Sequence, residues 1–543
     1  MTIAPPLTEL LLRLNGTPGG ELERAIGPLC SALEAGHVCL PISEAGLDAT
    51  RLRACAVVGA PGEFKPLILD EAGRLYLQRY WRYEHSLAQA LQARAGAPLL
   101  VCDEALLHAS SGKYLADADP AQRAAAESFV RQPLGVVTGG PGTGKTRTAA
   151  IALVLLAEQF AATGTRARLA LAAPTGKAAA RLAQSLSAAL ERLDLPASVR
   201  ALLPSGATTL HRLLGSRPGR ATFRHDAANP LAVDALIVDE ASMVALPLMA
   251  RLLSALKPGT RLLLLGDPSQ LASVEAGHVL GDLCASPLQT SVTELTKNHR
   301  FPDSSGIYRL SRAVKAGNLP ETQALLAAAT PELASAALPL PSGLAAALVR
   351  PVCAGYRAFL EAATPAGALA AFEAFRILCA VRDGPYGVEN LNRLAEQALA
   401  KEGLLAPDHT HYPGRPILIL RNDPALGLFN GDIGLVRRNE DGELRAFFAD
   451  DGGGVRRFSP ARLPEHETAF AMTVHKSQGS EFGRVLIVLP DRESPILSRE
   501  LLYTAATRAR EAVELWWSEE ALAASLARPV RRWSGLADQL AEA

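Results

Sequence analysis

The stretch from Gly139 to Thr146, Gly-Gly-Pro-Gly-Thr-Gly-Lys-Thr, has the residue types and spacing of a phosphate-binding loop. It follows an apolar run at 134–138 and leads into an Ala-rich helical pattern at 147–159. In that strand–loop–helix context the pattern predicts a nucleoside triphosphate site, with Lys145 on the β- and γ-phosphates and the Thr146 hydroxyl on Mg²⁺. The alternative is a Gly-rich turn with an exposed lysine. Because every position of the pattern is filled, we predict that the chain binds ATP or GTP.

Two adjacent acids, Asp239 and Glu240, end the apolar run at 235–238. Beside a phosphate-binding loop, Asp239 could hold Mg²⁺ through water, and Glu240 could orient and deprotonate the attacking water. An acid pair alone more often marks a solvated loop or the start of a helix. The preceding strand pattern and the phosphate-binding loop together favour a catalytic pair.

Three further side chains are candidates for contacts with the γ-phosphate. Gln270 closes the run at 261–265 in Gly-Asp-Pro-Ser-Gln, where a carboxamide could report phosphate loss or where the segment could be a plain turn. Arg300 and Arg508 could stabilise charge on the transferring phosphoryl group, because arginine is a permanent, planar fork of donors. Taken singly, either arginine is more typical of a surface.

Whole-chain properties limit the classes of protein. The chain has 543 residues, which predicts three or four domains, and its 55 basic and 55 acidic residues give a net charge of zero. Any nucleic-acid surface must therefore be a local groove. The seven cysteines form no C-x-x-C pair, which is typical of a reducing compartment. We find no secretory signal pattern at 1–11 and no apolar run near ~20 residues, so we predict a cytoplasmic protein without a membrane span.

The order of the apolar runs predicts an α/β fold. Strands of a first parallel sheet, each ending in a polar cluster, are expected at 134–138, 169–173, 235–238 and 261–265. Such sheets bind ligands at the carboxyl ends of their strands. A second α/β unit is expected after Arg300, with helices at 310–328 and 344–363 and strands at 377–381, 485–489 and 513–517.

Two smaller units are predicted outside this pattern. Short β-like runs separated by Gly, Asp and Asn turns lie at 416–420, 433–437, 444–448 and 455–458, which indicates a small inserted barrel. Residues 1–115 contain helical patterns and a hairpin at 66–77, without a catalytic signature. Their aromatic side chains Tyr80, Trp81 and Tyr83 predict either a core or a docking surface for another subunit.

Taken together, these motifs resemble those of a superfamily-one helicase of the RecD family. The matching segments run in order along most of the chain: 119–122 (Q motif), 139–146 (Walker A), 174–179 (Ia), 209–214 (Ib), 239–242 (II), 266–270 (III), 298–300 (IV), 473–481 (V) and 503–510 (VI). Segments resembling RecD itself are 36–41, 75–77, 375–379 and 427–434. The sequence shows no helix-hairpin-helix repeats of the longer RecD-like helicases. One departure is His299, where many superfamily-one helicases place a tyrosine against adenine.

The resemblance implies an α/β fold of two RecA-like P-loop motor domains, with a small N-terminal domain and an inserted SH3-like β subdomain. The implied boundaries are 1–115 for the N-terminal partner-docking domain, 116–300 for motor domain 1A with a small 1B hairpin near 216–230, 301–412 and 469–543 for motor domain 2A, and 413–468 for the SH3-like subdomain 2B. ATP and Mg²⁺ would lie in the cleft between the motor domains.

The resemblance also assigns roles to residues. The implied catalytic residues are Lys145, Asp239, Glu240, Gln270, Arg300 and Arg508, with Thr146 and Asp239 at the metal. The implied nucleotide contacts are Gln122, Gly139, Gly140, Pro141, Gly142, Thr143, Gly144, Lys145, Thr146, Arg147 and Glu481. A translocase must bind any sequence, so its DNA contacts should go to phosphates and base faces. The implied DNA contacts are Pro174, Thr175, Lys177, His211, Thr473, His475 and Lys476.

The implied function is an ATP-dependent 5′→3′ single-stranded-DNA translocase and helicase. It would be the motor subunit of a RecBCD-type helicase–nuclease in double-strand break repair, with RecB-like and RecC-like partners and the nuclease in one of them. Two alternatives stay open. One is a free-standing 5′→3′ helicase, and the other is an assembly subunit with a vestigial ATPase, against which the complete set of catalytic motifs argues.

Overall fold

In the computed structural model, the described residues are 4–16, 19–217, 219–220, 222–450 and 454–541. The predicted hairpin near 216–230 includes residues 218 and 221, which lie outside that set. Within the described part, no helix is both long enough and apolar enough to cross a membrane.

The α-helices are α1 (Ala4–Asn15), α2 (Glu21–Glu34), α3 (Ala49–Arg53), α4 (Gln78–Ala95), α5 (Glu104–Tyr114), α6 (Pro120–Arg131), α7 (Lys145–Ala162), α8 (Gly176–Leu190), α9 (Ala197–Arg200), α10 (Leu210–Leu214), α11 (Leu246–Ala255), α12 (Val279–Ala285), α13 (Gly306–Ala316), α14 (Leu319–Ala327), α15 (Pro341–Glu361), α16 (Pro365–Phe372), α17 (Val388–Lys401), α18 (Arg499–Ala506), α19 (Glu519–Ala527) and α20 (Leu536–Ala541). Short 3₁₀ helices lie at Ala241–Met243, Pro287–Ser291, Pro460–Arg462 and His475–Ser477.

The strands are β1 (Leu40–Pro41), β2 (Val58–Gly59), β3 (Leu67–Leu69), β4 (Arg74–Leu77), β5 (Leu134–Gly139), β6 (Leu169–Ala173), β7 (Thr208–Thr209), β8 (Ala235–Val238), β9 (Arg261–Gly266), β10 (Val292–Leu295), β11 (Leu333–Ala337), β12 (Phe375–Cys379), β13 (Pro416–Ile419), β14 (Ile433–Arg438), β15 (Leu444–Ala449), β16 (Val455–Phe458), β17 (His466–Thr468), β18 (Ala471–Thr473), β19 (Phe482–Val488) and β20 (Ala509–Trp517).

Two parallel sheets form the centre of the α/β structure. The first has the order β10-β5-β9-β8-β6-β7, and the second has the order β11-β20-β19-β12-β18. In the first sheet, Val136 faces one buried cluster and Val137 faces another, as expected for strands with helices on both faces. The predicted α/β fold and its main strands are confirmed, while the edge strands β7, β10, β11 and β18 were not predicted.

One predicted helix was wrong. The pattern at 310–328 is two helices, α13 and α14, which meet at Gly317 and Asn318. Gly317 has a left-handed φ of 68°, and the Asn318 side chain accepts the Glu321 N–H as the N-cap of α14. A glycine C-cap followed at once by an asparagine N-cap ends one helix and begins the next.

The inserted segment forms a five-stranded antiparallel sheet in the order β16-β15-β14-β13-β17. Its small core contains Ile417, Ile419, Val436 and Phe448. The polar strand β17 was not predicted. The likeness of this sheet to an SH3 subdomain stays a prediction.

The N-terminal segment forms a four-stranded sheet, β1-β4-β3-β2, that includes the predicted hairpin of β3 and β4. Its helix α4 packs on α11 beside the first parallel sheet. Trp81 is buried in the cluster that they share, and the Tyr83 hydroxyl accepts a hydrogen bond from Arg251 at 2.9 Å. In this structure these aromatics therefore serve as core and contact residues within the chain.

Residues 530–541, here called the returning segment, lead from α19 beside the second sheet back to the first. Trp533 stacks on His37 with ring centroids 4.0 Å apart, and α20 packs against α4 and α12. The Ser534 hydroxyl lies 2.6 Å from a Glu84 carboxyl oxygen and 3.0 Å from one of Asp282. Burial raises the pKa of both carboxyl groups, that of Asp282 to about 7, because it disfavours their charged forms.

Candidate nucleotide site and DNA track

The predicted phosphate-binding loop joins the carboxyl end of β5 to the first turn of α7. Gly142 and Gly144 have left-handed φ values of 82° and 87°, and Gly144 is the N-cap of α7. A Cβ atom on Gly144 would collide with Nε2 of Gln122. The glycines therefore permit both the turn and the close approach of Gln122. The free backbone N–H groups at the N-terminus of such a helix can bind an anion.

The Lys145 ammonium lies over the loop. Its Nζ donates to the carbonyl oxygens of Gly139 at 2.6 Å and Gly140 at 3.0 Å. Thr146 follows it in the first helical turn, half-buried, and Arg147 is exposed. The ammonium is thus positioned at the concave side of the loop, where phosphates bind in P-loop proteins.

Gln122 lies where an adenine-reading side chain is expected, beside the loop. Asp119 caps α6 by accepting the Gln122 N–H, and Gln122 Nε2 lies 3.1 Å from the Thr143 carbonyl oxygen. The same Nε2 is 3.3 Å from Nε2 of His299. The structure therefore brings the predicted motifs Q, Walker A and IV together.

The segment 298–300 packs directly on the loop. Asn298 Nδ2 donates to the Pro141 carbonyl oxygen at 3.0 Å, and the His299 N–H donates to that of Gly142 at 2.8 Å. Arg300 extends from here toward the second sheet. Its Nη1 is buried without a hydrogen-bond partner among the described residues.

The two predicted catalytic acids follow β8 on the same edge of the sheet. Glu240 has φ 52° and ψ 41°, a left-handed conformation that is strained for a residue with a side chain. Its N–H donates to Asp239 Oδ1 at 2.8 Å. Burial and then the Glu240 charge raise the pKa of Asp239, while Lys145 and Arg181 act in the opposite direction. Asp239 thus lies within the electrostatic reach of the P-loop lysine.

The two sheets meet through Gln270 and Arg508. Arg508 Nη2 donates to Gln270 Oε1 at 2.9 Å. Its Nε and Nη1 donate to the carbonyl oxygens of Thr504 and Ser480, which lie beside the second sheet. Asp267 Oδ2 accepts from Tyr503 Oη at 2.9 Å and from Gln270 Nε2 at 3.3 Å. This buried network connects the carboxyl end of β9 to α18.

Glu481 joins two arginines. Its Oε1 accepts from Arg300 Nη2 at 2.7 Å and also pairs with Arg181 of α8. Burial pushes the pKa of Glu481 up, but the two arginines outweigh it and hold that pKa below its ordinary value. This favours the charged carboxylate, which connects α8 to motif IV. A contact between Glu481 and the nucleotide stays a prediction.

Sequence analysis missed Arg181, Asn298, Asp267 and Tyr503. A signal for Arg181 was present, because it lies four residues after Lys177 and so on the same face of one helix. Tyr503 and Asp267 come from segments matched to helicase motifs, but their contact spans 236 positions and no local pattern reveals it.

The predicted DNA contacts fall into a main group on two turns and one position outside it, His211 on α10. Thr175 caps α8, and it lies against Gly479, where a Cβ atom would be 3.7 Å from Oγ1 of Thr175. Thr473 Oγ1 accepts the Lys476 N–H at 3.3 Å. Members of this group on or next to the turn after β6 and the turn after β18 are Pro174, Thr175, Lys177, Thr473, His475 and Lys476. We call this group the DNA track.

Lys177 faces the second sheet, with Nζ 5.8 Å from the centroid of the Phe482 ring, and burial lowers its pKa to about 8. The two histidines differ in position, since His475 lies in the turn after β18 and His211 lies on α10. His211 contacts Phe223 edge-on at 5.8 Å, and burial, with Arg532 nearby, lowers the pKa of His475. Arg532 of the returning segment therefore lies within electrostatic reach of His475.

The donor set near the loop suits a hard cation. Across the described ranges, no group of three or more His, Cys, Asp or Glu could hold a metal ion. A Thr146 hydroxyl and an Asp239 carboxylate offer oxygen ligands, and Mg²⁺ commonly takes its remaining ligands from water and phosphate. The residues present therefore fit a nucleotide-borne Mg²⁺ better than a protein-only metal cage.

Comparison with known proteins decides the family. The chain is 40% identical to the RecBCD enzyme subunit RecD of Mycolicibacterium smegmatis, over 98% of this chain and 96% of that protein. The chain belongs to the RecD family. It is also 35% identical to RecD of Haemophilus influenzae, over 86% of this chain and 80% of that one. The ATP-dependent RecD2 DNA helicase of Deinococcus radiodurans is 32% identical over 82% of this chain and 56% of its own length.

Two family models match parts of this RecD chain. An AAA domain matches residues 122–276, and a UvrD-like helicase C-terminal domain matches 468–515. The first range contains the P-loop, both predicted catalytic acids and Gln270, and the second contains Glu481 and Arg508. The family matches thus fall on the same two sheets that the Gln270–Arg508 contact joins.

Replacing Gly144 by alanine is expected to weaken ATP binding severely. The new methyl group would meet Gln122 and would hold a left-handed φ that costs an L-residue about 1–2 kcal/mol. Gly164→Ala is the matched control, because Gly164 has φ 66° with open space around it. Nucleotide titration and thermal melting of both variants check this. We expect both variants to lose similar stability and only Gly144→Ala to lose nucleotide binding. If the two variants bound nucleotide equally well, the assignment of the site to this loop would be contradicted.

Proposed function

We propose that this chain is an ATP-dependent 5′→3′ single-stranded-DNA translocase and helicase. It is the RecD-type motor subunit of a RecBCD-type helicase–nuclease that acts in double-strand break repair and recombination. The observation that carries the proposal is the buried Gln270–Arg508 contact between the two sheets, whose network includes Tyr503, and the Tyr503 hydroxyl lies 3.1 Å from where a Cβ atom on Gly140 of the P-loop would be. An ATP site shared by two sheets can convert hydrolysis into relative movement.

In the proposed cycle, ATP binds at the loop, where Thr146 and Asp239 would hold a Mg²⁺ ion that offsets phosphate charge, and Glu240 acts as the general base that deprotonates the attacking water. Gln122 and Glu481 contact the nucleotide, and the loop residues bind its phosphates. Arg300 and Arg508 stabilise the transferring phosphoryl group. Hydrolysis then separates the motor domains.

DNA is held along the track while the domains alternate their grip. Thr175, Lys177, Thr473 and Lys476 supply hydroxyl and ammonium groups suited to phosphates, with His475 beside Lys476 in the same turn and His211 on α10. Because phosphate contacts release counterions, binding should weaken steeply as salt rises. Salt-independent binding to oligonucleotides would contradict this grip.

The proposed domain division follows the boundaries given above. Residues 116–300 and 301–412 with 469–543 form the two motor domains, 413–468 forms the SH3-like subdomain, and 1–115 forms the N-terminal unit. The partners are RecB-like and RecC-like subunits, one of which supplies the nuclease, and the complex works in the cytoplasm. The high identity to RecD subunits over nearly the full chain supports these assignments.

The test uses forked duplexes with either a 5′ or a 3′ single-stranded tail, in the presence of ATP and Mg²⁺. Wild type is expected to unwind only from the 5′ tail, and Lys145→Gln is expected to lose both unwinding and ATP hydrolysis. Lys257→Gln is the control, because that lysine is exposed and lies away from the loop. Unwinding from the 3′ tail, or normal hydrolysis by Lys145→Gln, would overturn the assignment.

Two outcomes distinguish the alternatives. Size-exclusion chromatography with RecB-like and RecC-like subunits should give a heterotrimer, whereas a chain that unwinds but never assembles would be a free-standing helicase. Absence of DNA-stimulated ATP hydrolysis both alone and in the complex would indicate a vestigial ATPase.

A further inference from the structure

The loop between β13 and β14, residues 420–432, connects the inserted sheet to the DNA track. Phe429 lies over Gly176, where a Cβ atom would be 3.4 Å from the Phe429 Cβ and 3.5 Å from its Cγ. Next to it, Asn430 Oδ1 accepts a hydrogen bond from Lys476 Nζ at 3.0 Å. One short loop therefore contacts both the first residue of α8 and the turn after β18.

The loop is held in one shape by its own hydrogen bonds. Asp423 and Leu428 exchange backbone bonds of 2.7 and 3.1 Å, and the Leu428 side chain is fully buried in the core of the inserted sheet. The Phe429 N–H donates to Asp432 Oδ2, and the Asn430 N–H donates to Asn422 Oδ1, each at 2.8 Å. Phe429 is thus presented on a rigid support, while its ring remains partly exposed.

The surroundings of the ring are suited to a nucleic-acid strand. Thr175, which precedes Gly176 in the chain, and Lys476, which is hydrogen-bonded to the neighbouring Asn430, are the hydroxyl and ammonium groups that the proposed function assigns to phosphates. Phosphate contacts alone leave the bases without support, and proteins that bind single strands without sequence preference commonly add an aromatic platform. Every base has a π-face, so such a platform is compatible with translocation along any sequence.

We propose that Phe429 is a base-stacking residue of the DNA track, on which one base of the translocating strand rests. This inference depends on the proposed helicase function and adds the inserted sheet to the DNA-binding surface. Asn430 orients the Lys476 ammonium beside it, so that the base and a neighbouring phosphate are bound together.

The test is the affinity of the full chain for oligothymidylate, measured by fluorescence anisotropy over a salt series. Phe429→Ala is expected to weaken binding by about tenfold, and Phe429→Trp is expected to retain it. The slope of log affinity against log salt should stay unchanged in both, since a base contact releases no counterions, whereas Lys476→Ala should reduce that slope. Phe64→Ala is the control, since Phe64 is 87% exposed in the N-terminal segment.

An abasic oligonucleotide separates stacking from a structural role. On a strand that lacks bases at the contacted positions, wild type and Phe429→Ala should bind equally, because no base is left to stack. An equal loss on normal and abasic strands, or no loss on either, would overturn the stacking role. Failure of wild type itself to bind single strands would instead contradict the proposed function.

Discussion

Glu240→Gln is expected to lower the turnover number for ATP by about 10²- to 10⁴-fold, because it removes the general base. The amide keeps the size of the carboxylate, so the strained turn at φ 52° and the hydrogen bond from the Glu240 N–H to Asp239 remain possible. Affinity for ATP should therefore be retained. Steady-state hydrolysis with saturating DNA, together with nucleotide titration, measures the two quantities separately.

The control for this prediction is Glu71→Gln, at the exposed turn of the β3–β4 hairpin, which should hydrolyse ATP at the wild-type rate. If Glu240→Gln hydrolysed ATP normally, another group would have to orient the water. A parallel loss of ATP affinity would instead mean that the side chain supports the loop.

Arg300→Ala should slow hydrolysis by about 10³-fold, the scale of an arginine that stabilises a transferring phosphoryl group. Its Nη1 is a buried donor without a partner among the described residues, while Nη2 is engaged by Glu481. One edge of the guanidinium is thus held by Glu481, and the other carries the donor that we propose binds a phosphate oxygen. Single-turnover hydrolysis measures the chemical step directly.

Arg181→Ala is the matched control for that variant. Arg181 also pairs with Glu481, so its loss disturbs the same carboxylate without removing the unpartnered donor. We expect a much smaller effect on the chemical step. If the rate of the chemical step fell equally in both variants, the effect would be due to the position of Glu481. Arg300 would then not contact the phosphate directly.

Much of the fold could be predicted because its strands are short buried runs between clear turns. Strands β6 and β8 have the predicted bounds, and β5 and β9 are each one residue longer. Edge strands such as β10 and β17 escaped prediction, since they are half-exposed and carry polar residues. The break between α13 and α14 was encoded by Gly317 and Asn318, and sequence analysis overlooked it.

The residues of the candidate site also fall into those that sequence can predict and those that it cannot. Side chains next to a sheet edge or in a local motif, such as Lys145 and Asp239, follow from spacing. Contacts between sheets do not, because Gln270 and Arg508 are 238 positions apart and only the tertiary structure joins them. The packing of Phe429 over Gly176 is of this second kind.

The returning segment has a consequence for synthesis on the ribosome. Glu84 is buried on α4, and its hydrogen-bond partners Ser534 and Gly535 follow it by about 450 residues. At 5–20 residues per second, roughly 20 to 90 seconds of translation separate the carboxyl group from these partners. Throughout that interval the nascent N-terminal unit carries a carboxyl group that it cannot bury with its native partners. These hydrogen bonds therefore form only after the motor sequences have been translated, and a chain that stops before residue 534 lacks them.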